Sequence, residues 1–298
     1  MTALLDILKT LRINQWTKNL IVLAAVCFAF GDQHQTLPSH ALLRALAAVA
    51  LFCFASSSIY IINDLRDREA DRQHPTKRFR PLAAGRIPIP LAAGLSALLM
   101  TLALLGSSRL APAYGLLVAS YIAMQVLYTF WLKHIALVDV FVIAAGFVMR
   151  AAGGGFAIHI NISPWLLVCT FLLALFLALC KRRHEKILLE DQADTHRASL
   201  EYYNTKLTDQ LIAIVCAATI VSYSIYTLSA ETVAKFGTSL LSLTIPFVIF
   251  GIFRYLDLVY RKDAGGRPEK TLLTDVVLLV NIALYGVAVL AIFLFTRN

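Results

Sequence analysis

Three aspartates that follow an apolar run are spaced so that one helix would align them. Asp64, Asp67 and Asp71 stand at i, i+3 and i+7, and a helix that continues past the apolar run places all three on one stripe. Carboxylates one turn apart repel each other unless a cation lies between them. Mg²⁺ binds one or two protein carboxylates and fills its shell with water and phosphate oxygens. The spacing therefore predicts a site for Mg²⁺ and a diphosphate, with Asp64, Asp67 and Asp71 as catalytic and metal-binding residues.

A basic stretch follows directly and could donate to phosphate oxygens that a metal leaves uncovered. Its members are His74, Lys77, Arg78 and Arg80. Pro75 and Pro81 predict that the helix ends by about Gln73 and that a structured loop takes over. A solvated loop of mixed charge is the alternative interpretation, and the regular spacing of the aspartates argues against it.

A second polar cluster surrounds a short turn and contains Tyr128, Lys133 and Asp139. Lys133 could hold a phosphate and Asp139 a metal or a sugar hydroxyl, or these two side chains could pair and close the turn. Arg150 follows Asp139 by about three helical turns, and a charge at membrane depth turns toward a partner or a cavity. Arg150 is therefore a candidate site residue, with pairing between helices as the alternative. The adjacent Gly153–Gly155 run predicts a helix break or close packing.

The third cluster is the basic run Lys181–Lys186, which also contains Glu185. Such a run is typical of the cytoplasmic flank of a membrane helix. It could equally form an anion clamp that faces the aspartates, with Lys181 and Arg182 as donors. Residues 197–209, further along, have the pattern of an amphipathic surface segment.

The composition places these clusters in a membrane protein. Apolar residues make up 59% of the 298 residues and charged residues 15%, and the mean hydropathy is +0.72. A water-soluble domain could not bury this much apolar surface. The net charge of +9 is divided among loops between membrane-length segments, so it indicates phospholipids and phosphate substrates as partners, not nucleic acid. The five cysteines lack metal-binding spacing and are predicted to pack in apolar runs.

Hydropathy predicts the nine spanning helices that must position the polar clusters. They cover roughly residues 17–30, 42–62, 91–107, 112–131, 138–157, 165–180, 210–228, 240–260 and 273–296. Lys and Arg concentrate in alternate loops, so the positive-inside rule places these loops and the N-terminus in the cytoplasm. We expect one all-α membrane domain over residues 1–298, bundled around a central cavity, with cytoplasmic site loops near 63–90, 132–139 and 181–209.

The first span has an apolar part of only about eleven residues, 20–30, against the roughly twenty that a bilayer requires. The residues before it must then lie at headgroup depth or deeper: Gln15, Trp16, Lys18 and Asn19. Polar groups at that depth face protein or a water-filled cavity, which makes Gln15 and Lys18 candidate binding residues. Anchoring at the membrane interface by Trp16 and Lys18 is the alternative.

Together these motifs resemble the UbiA superfamily of intramembrane prenyltransferases. The pattern Asn63-Asp64-x-x-Asp67-x-x-x-Asp71 after the second span is similar to the first aspartate-rich motif of that superfamily, which binds Mg²⁺ and diphosphate. The sequence looks most like the decaprenyl-phosphate phosphoribosyltransferase branch in four further stretches: Arg12 to Asn19, Asp71 to Pro81, Lys133 to Arg150 and Lys181 to Glu185. That branch often has Pro after the first arginine, where this chain has Ile13.

The resemblance implies Mg²⁺-dependent transfer of 5-phosphoribose from phosphoribosyl pyrophosphate to a polyprenyl phosphate, with release of pyrophosphate. The product would serve lipid-linked sugar and cell-envelope synthesis at the cytoplasmic face of a bacterial inner membrane. Relatives that use prenyl diphosphates have a second aspartate-rich motif after span six, where this chain has Lys181, Arg182 and Arg183. Basic residues there suit a substrate with an additional phosphate.

The resemblance and the clusters together yield one set of candidate substrate-binding residues. They are Gln15, Lys18, Tyr60, Asn63, Lys77, Arg78, Arg80, Tyr128, Lys133, Asp139, Arg150, Lys181, Arg182 and Glu185. A UbiA-type enzyme that transfers a prenyl group from a polyprenyl diphosphate to an aromatic acceptor is the alternative function. A transporter or a lipid-binding membrane protein is a third interpretation, but the charged clusters gather on one side of the membrane, which argues against it. A homo-oligomer is compatible with the sequence.

Overall fold

The computed structural model describes residues 2–190, 203–262, 264–266 and 268–297, and within these ranges the regular structure is entirely helical. The α-helices are α1 (Thr2–Thr10), α2 (Ala24–Gly31), α3 (Ala41–Arg66), α4 (Arg68–Gln73), α5 (Ile89–Leu110), α6 (Pro112–Phe130), α7 (Val138–Ile158), α8 (Pro164–Glu190), α9 (Thr205–Leu228), α10 (Ala230–Phe236), α11 (Ile245–Lys262), α12 (Pro268–Thr274) and α13 (Val276–Arg297). The 3₁₀-helices are Ile13–Leu23, Lys77–Phe79, Leu132–His134, Leu240–Thr244 and Ala264–Gly266. The first six residues of the predicted amphipathic segment 197–209, that is 197–202, lie outside the described residues.

Nine helical stretches of the described chain are long and apolar enough to cross a membrane. They are Ile13–Gly31, Ala41–Arg66, Ile89–Leu110, Pro112–Phe130, Val138–Ile158, Pro164–Ile187, Thr205–Leu228, Leu240–Lys262 and Val276–Thr296. Each overlaps one predicted span, which confirms the all-α membrane fold. The largest difference is in the sixth span, because α8 continues through the basic run Lys181–Lys186. The cytoplasmic N-terminus and the single-domain organisation stay predictions.

The first span owes its reach to an unusual helix type. Ile13–Leu23 forms a 3₁₀-helix of 11 residues. A 3₁₀-helix rises about 2.0 Å per residue, against about 1.5 Å for an α-helix. This stretch alone therefore covers about 22 Å of the roughly 30 Å hydrocarbon thickness. The first span therefore gains length in two ways, from the larger rise per residue of the 3₁₀-helix and from the polar residues that flank its short apolar part.

The chain divides into two compact units, and the first comprises Met1–Ala24, Ser39–Lys133 and Met149–Asn161. Its core includes Phe52 of α3, whose ring contacts Tyr114 and Tyr121 of α6 edge to face, at centroid distances of 5.7 and 5.4 Å. A Cβ atom at Gly153 would lie 2.6 Å from a ring carbon of Phe52. Helix α7 continues through this glycine run, so the run does not break the helix, and Gly153 allows close packing against Phe52.

Arg44 lies near the start of α3, at the opposite end of that helix from Asp64, and contacts two other helices of the first unit. Its Nε donates to the carbonyl oxygen of Ala157 at 2.8 Å, and its Nη2 donates to that of Leu110 at 2.6 Å. These carbonyls belong to the last turns of α7 and α5, where no intrahelical N–H is available to them. The guanidinium of Arg44 therefore caps two helix C-termini and complements their negative dipole ends.

The second unit comprises Ala25–Pro38, His134–Val148 and Ile162–Asn298. Its largest core cluster includes Phe176 of α8 and Tyr255 of α11, whose rings meet edge to face with centroids 5.4 Å apart. A bidentate ion pair fixes the start of α13, because Arg254 donates to both carboxylate oxygens of Asp275 at 3.1 and 2.7 Å. That contact lowers the pKa of Asp275 below its ordinary value.

Candidate active site

The three aspartates lie where α3 passes into α4. Helix α3 ends at Arg66 and α4 begins at Arg68. The N–H of Asp67 still donates to the carbonyl of Asn63 at 2.9 Å, and the N–H of Asp71 donates to that of Asp67 at 2.8 Å. The i to i+4 bonding thus passes almost unbroken through the junction. Helix α4 ends at Gln73, as the prolines predicted.

Asp64 and Asp71 converge on one guanidinium group. Both carboxylates are buried. The Nη1 atom of Arg80 donates to Asp64 Oδ1 at 3.1 Å and to Asp71 Oδ2 at 2.6 Å. Because a single nitrogen contacts both side chains, the two carboxylates share one cationic point. Two of the three aspartates predicted to share one stripe, Asp64 and Asp71, therefore contact the same side chain.

Arg12 provides a second guanidinium to Asp64, and sequence reasoning assigned it no role. Its Nη2 donates to Asp64 Oδ1, and its guanidinium lies 4.9 Å from the centroid of the Tyr60 ring. The backbone of Arg12 has φ of 52°, which is the left-handed region that non-glycine residues rarely adopt. The signal that could have identified it is its position just before a span with too few apolar residues.

Asp67 contacts a different cation. Lys133 is buried, and its Nζ donates to the two carboxylate oxygens of Asp67 at 2.7 and 2.9 Å. The Asp67 side chain is 31% exposed, so it is the most accessible of the three aspartates. In the part of the chain that the structure describes, no three acidic, His or Cys side chains are arranged to hold a metal. The reason at this junction is that Asp67 points to Lys133 while the other two point to Arg80.

A buried polar cluster connects the first span to α6 and α7. Arg150 donates from Nε to Asn19 Oδ1 and from Nη2 to Tyr121 Oη, both at 2.7 Å. Asn19 is buried, and Trp16 Nε1 donates to Ser57 Oγ at 3.0 Å. These polar groups of the first span therefore face protein. Arg150 makes the inter-helix contacts that the sequence offered as an alternative to a substrate site.

Asp139 and Arg182 form a buried ion pair within the second unit. Arg182 Nε donates to Asp139 Oδ2 at 2.6 Å, and the two side chains are 2% and 0% exposed. Tyr203 Oη donates to the other oxygen of Asp139 at 2.7 Å. Burial, and next this hydrogen bond to the carboxylate, raise the pKa of Tyr203 above its ordinary value. The partner of Asp139 is thus Arg182, and that of Lys133 is Asp67.

The rest of the basic run also makes specific contacts. Arg182 Nη1 donates to Glu185, and Lys181 Nζ lies 3.8 Å from that residue's carboxylate. Arg183 donates to Asp209 at 2.6 Å and stacks on Tyr260 at 4.1 Å. These contacts are more specific than a flanking run requires. The prediction that this cluster faces the aspartates stays a prediction.

The remaining sequence candidates lie around the first-unit aspartates or on neighbouring helices. Tyr60 and Asn63 precede Asp64 on α3, and Lys77 and Arg78 occupy the exposed 3₁₀-helix that leads to Arg80. Half-buried positions are held by Gln15, Lys18 and Tyr128.

His74 stabilises the turn that leads to Arg80. Its Nδ1 accepts hydrogen bonds from the backbone N–H groups of Thr76 and Lys77 at 3.2 and 3.3 Å. This nitrogen must be unprotonated to accept them. Burial, followed by the nearby charge of Lys77, lowers the pKa of His74 from its ordinary value of 6.5. Through Nδ1, His74 is therefore an acceptor, which leaves its Nε2–H as the group that could donate to a phosphate.

Comparison with known proteins identifies the family of the chain. A model of the UbiA prenyltransferase family matches residues 20–282. The decaprenyl-phosphate phosphoribosyltransferase of Mycolicibacterium smegmatis is 38% identical over 286 residues, which cover 91% of this chain and 87% of that protein. The enzyme of the same name from Mycobacterium tuberculosis is 36% identical, over 95% and 94% of the two chains.

Solved structures share the fold at low sequence identity. A UbiA homolog from Archaeoglobus fulgidus, bound to GPP and Mg²⁺, superposes with a TM-score of 0.70 at 17% identity and covers 98% of both chains. An apo UbiA homolog from Aeropyrum pernix K1 has a TM-score of 0.69 at 14% identity, over 94% of this chain and 98% of the other.

Proposed function

Because the chain belongs to the UbiA prenyltransferase family and is a transferase, we propose that it moves 5-phosphoribose from phosphoribosyl pyrophosphate to a polyprenyl phosphate. The oxygen of the acceptor phosphate attacks C1 of the ribose, and the bond from C1 to the pyrophosphate oxygen breaks. Pyrophosphate leaves with the electron pair. Attack from the opposite side inverts the configuration at C1.

The observation that supports this proposal is the arrangement of opposite charges in the first unit. Asp64 and Asp71 share Arg80. Asp67, which lies on the same helical junction as these two aspartates, contacts Lys133. Alternating carboxylates and cations of this kind can bind a polyanion together with its metal. The relatives with this activity in their names match more than 90% of the chain at 36–38% identity.

Three carboxylates have the chemistry that a hard divalent cation prefers, and a bound cation would take the place of the basic side chains that they now contact. Asp64 and Asp71 supply carboxylate oxygens that already converge on one cationic point, and Asp67 is close in sequence and the most accessible of the three. We propose that these three residues hold Mg²⁺, with Asn63 orienting the pyrophosphate. Mg²⁺ bound there would offset the charge that pyrophosphate gains as its bond to C1 breaks.

Basic side chains of the chain bind the remaining phosphate oxygens in this proposal. Lys77, Arg78 and Arg80 donate to the pyrophosphate, and Lys181 and Arg182 hold the 5-phosphate. Glu185 or Asp139 accepts from a ribose hydroxyl. Further contacts to the two substrates come from Gln15, Lys18, Tyr60, Tyr128, Lys133 and Arg150, with Gln15, Lys18 and Arg150 guiding the lipid phosphate.

No general base is required, because the acceptor phosphate is already anionic at neutral pH. The contribution of the protein is to position two anionic substrates and to offset their repulsion with cationic side chains. The chain is a multi-pass membrane protein. We place it in a bacterial inner membrane with this site on the cytoplasmic side, since its basic loops alternate in the manner of the positive-inside rule.

The proposal is tested by radiolabel transfer. Purified protein is mixed with Mg²⁺, a polyprenyl phosphate and ribose-labelled phosphoribosyl pyrophosphate, and the lipid is extracted. We expect label in the lipid phase with the wild type, and loss of about a hundredfold or more in Asp67→Asn. Glu69→Gln is the matched control, because Glu69 stands on the same helical junction with its side chain 74% exposed. That variant should transfer at the wild-type rate.

The same assay separates the alternative function. A UbiA enzyme that alkylates an aromatic acceptor would release pyrophosphate from a polyprenyl diphosphate. Absence of transfer to any polyprenyl phosphate, together with activity on a prenyl diphosphate and an aromatic acceptor, would refute the phosphoribosyl proposal.

A further inference from the structure

Arg80 and a divalent cation need the same place between two carboxylates. The Arg80 Nη1 atom lies 3.1 Å from Asp64 Oδ1 and 2.6 Å from Asp71 Oδ2. Mg²⁺ requires oxygens at about 2.0–2.1 Å. A guanidinium nitrogen and a dication cannot both lie between these oxygens, because like charges repel strongly at such distances in a partly buried site. Metal binding at Asp64 and Asp71 therefore displaces Arg80.

We propose that Arg80 is an exchangeable counter-ion that couples metal binding to donor binding. When a divalent cation takes Asp64 and Asp71, the released guanidinium turns to the pyrophosphate of the donor. The same side chain thus opposes the metal before the donor arrives and retains the donor afterwards. This inference rests on the proposed function, since it takes phosphoribosyl pyrophosphate as the donor.

The place of Arg80 in the fold distinguishes it from Arg12, the other guanidinium on Asp64. Arg12 stacks on the Tyr60 ring and occupies the N-cap position of the 3₁₀-helix that begins the first span, so this ring contact and the helix hold it although its side chain is 24% exposed. Arg80 extends from the end of the short 3₁₀-helix Lys77–Phe79, and its side chain is 29% exposed. A long side chain at a solvent-accessible loop can swing several ångströms without unfolding a helix. Arg80 is therefore the exchanging partner, while Arg12 keeps hold of Asp64.

The proposal predicts effects of opposite sign on two affinities. Loss of Arg80 removes a competitor of the metal, so the metal should bind more tightly when no donor is present. Loss of Arg80 also removes a contact to the pyrophosphate of the substrate, so phosphoribosyl pyrophosphate should bind more weakly at saturating metal. A residue with a merely structural role would weaken both. Each change is expected to be about tenfold, which is within the usual range of coupling between sites.

The test measures Mn²⁺ binding by electron paramagnetic resonance and donor binding by calorimetry, with the full chain in nanodiscs. Arg80→Gln should bind Mn²⁺ about tenfold more tightly without donor and bind phosphoribosyl pyrophosphate about tenfold more weakly at saturating Mg²⁺. Arg72→Gln is the matched control. It also removes one positive charge next to Asp71 in the sequence, but the Arg72 side chain is paired with Glu69 and not with an aspartate of the proposed metal site. It should change both affinities less than about twofold.

Two further variants keep the test decisive. Arg80→Lys retains the charge on a shorter group that lacks the guanidinium fork, and should give Mn²⁺ affinity between the wild type and Arg80→Gln. If both Arg80 variants bind Mn²⁺ as the wild type does, or more weakly, the exchange is refuted while the metal site stands. If Asp64→Asn and Asp71→Asn leave wild-type Mn²⁺ binding unchanged, the proposed metal site itself fails.

Discussion

Replacing Arg182 by Met should strongly destabilise the protein, and the structure allows the cost to be calculated. Arg182 and Asp139 are almost fully buried, 2.6 Å apart. Within the described residues of the second unit, the apolar Met side chain removes the cationic partner of the Asp139 carboxylate and leaves the hydrogen bond from the neutral Tyr203 hydroxyl. Glu185, the other partner, is 29% exposed and can turn toward water.

Breaking a buried ion pair by removing one partner costs about 3–5 kcal/mol, because an uncompensated charge stays behind. Removing both partners together is a different case, since an apolar pair of similar volume is often neutral. Arg182→Met combined with Asp139→Leu should therefore recover most of the loss. It leaves the Tyr203 hydroxyl without its acceptor, which costs about 1–3 kcal/mol. We expect the double variant to lie about 2 kcal/mol above the single variants in stability.

The assay is thermal unfolding in detergent micelles or nanodiscs at pH 7.5, followed by intrinsic fluorescence. At roughly 2–4 °C per kcal/mol, a loss of about 3–5 kcal/mol should make each single variant melt about 6–20 °C below the wild type. The double variant should recover by several degrees, and adding Tyr203→Phe should recover more. Single variants that melt within about 2 °C of the wild type, or a double variant that loses the sum of both, would refute the ion-pair reasoning.

Three further predictions concern the first unit. His74 accepts backbone hydrogen bonds only while neutral, and its pKa is lowered in the folded protein. The unfolded chain therefore binds the proton more readily than the folded protein does. The contribution of His74 to stability is complete above about pH 6.5 and decreases as the pH drops toward the folded pKa. His74→Asn should melt with a shallower dependence on pH below about 6.5 than the wild type, and an equal slope in both would contradict this. Gly153→Ala should destabilise by about 1–3 kcal/mol, because its Cβ would lie 2.6 Å from the Phe52 ring. Gly94→Ala, with nothing within 4 Å of the new Cβ, should stabilise by about 0.5–1 kcal/mol in chemical denaturation. A Gly153→Ala protein as stable as Gly94→Ala would show that α7 does not pack as described.

Most of the helical framework could be predicted because it depends on local sequence. Apolar runs of membrane length identify the spans, and prolines end α4 at Gln73. The register of Asp64 and Asp71 follows from helix periodicity alone. The 3₁₀ geometry of Ile13–Leu23 could not be predicted, since 3₁₀-helices rarely exceed a few residues.

The partners of the charged residues could not be predicted from the sequence. Several cations are available to each carboxylate, and the choice depends on packing between distant segments. Asp64 takes Arg12 from 52 residues away, and Asp67 takes Lys133 from 66 residues away. The turn-closing pair between Lys133 and Asp139 was plausible from their proximity in sequence, yet each binds a residue from elsewhere in its own unit.

The contacts by which Arg44 caps the C-termini of α5 and α7 have a consequence for the order in which the first unit folds. The carbonyl partners of Arg44 are 66 and 113 residues downstream, so a ribosome delivers α3 well before either of them exists. A guanidinium near the end of a nascent span is costly until it finds acceptors. The segment Met149–Asn161 supplies the second of these carbonyls, that of Ala157, and also brings Arg150 to Asn19. The first unit thus closes late in biogenesis, although most of its sequence is synthesised early.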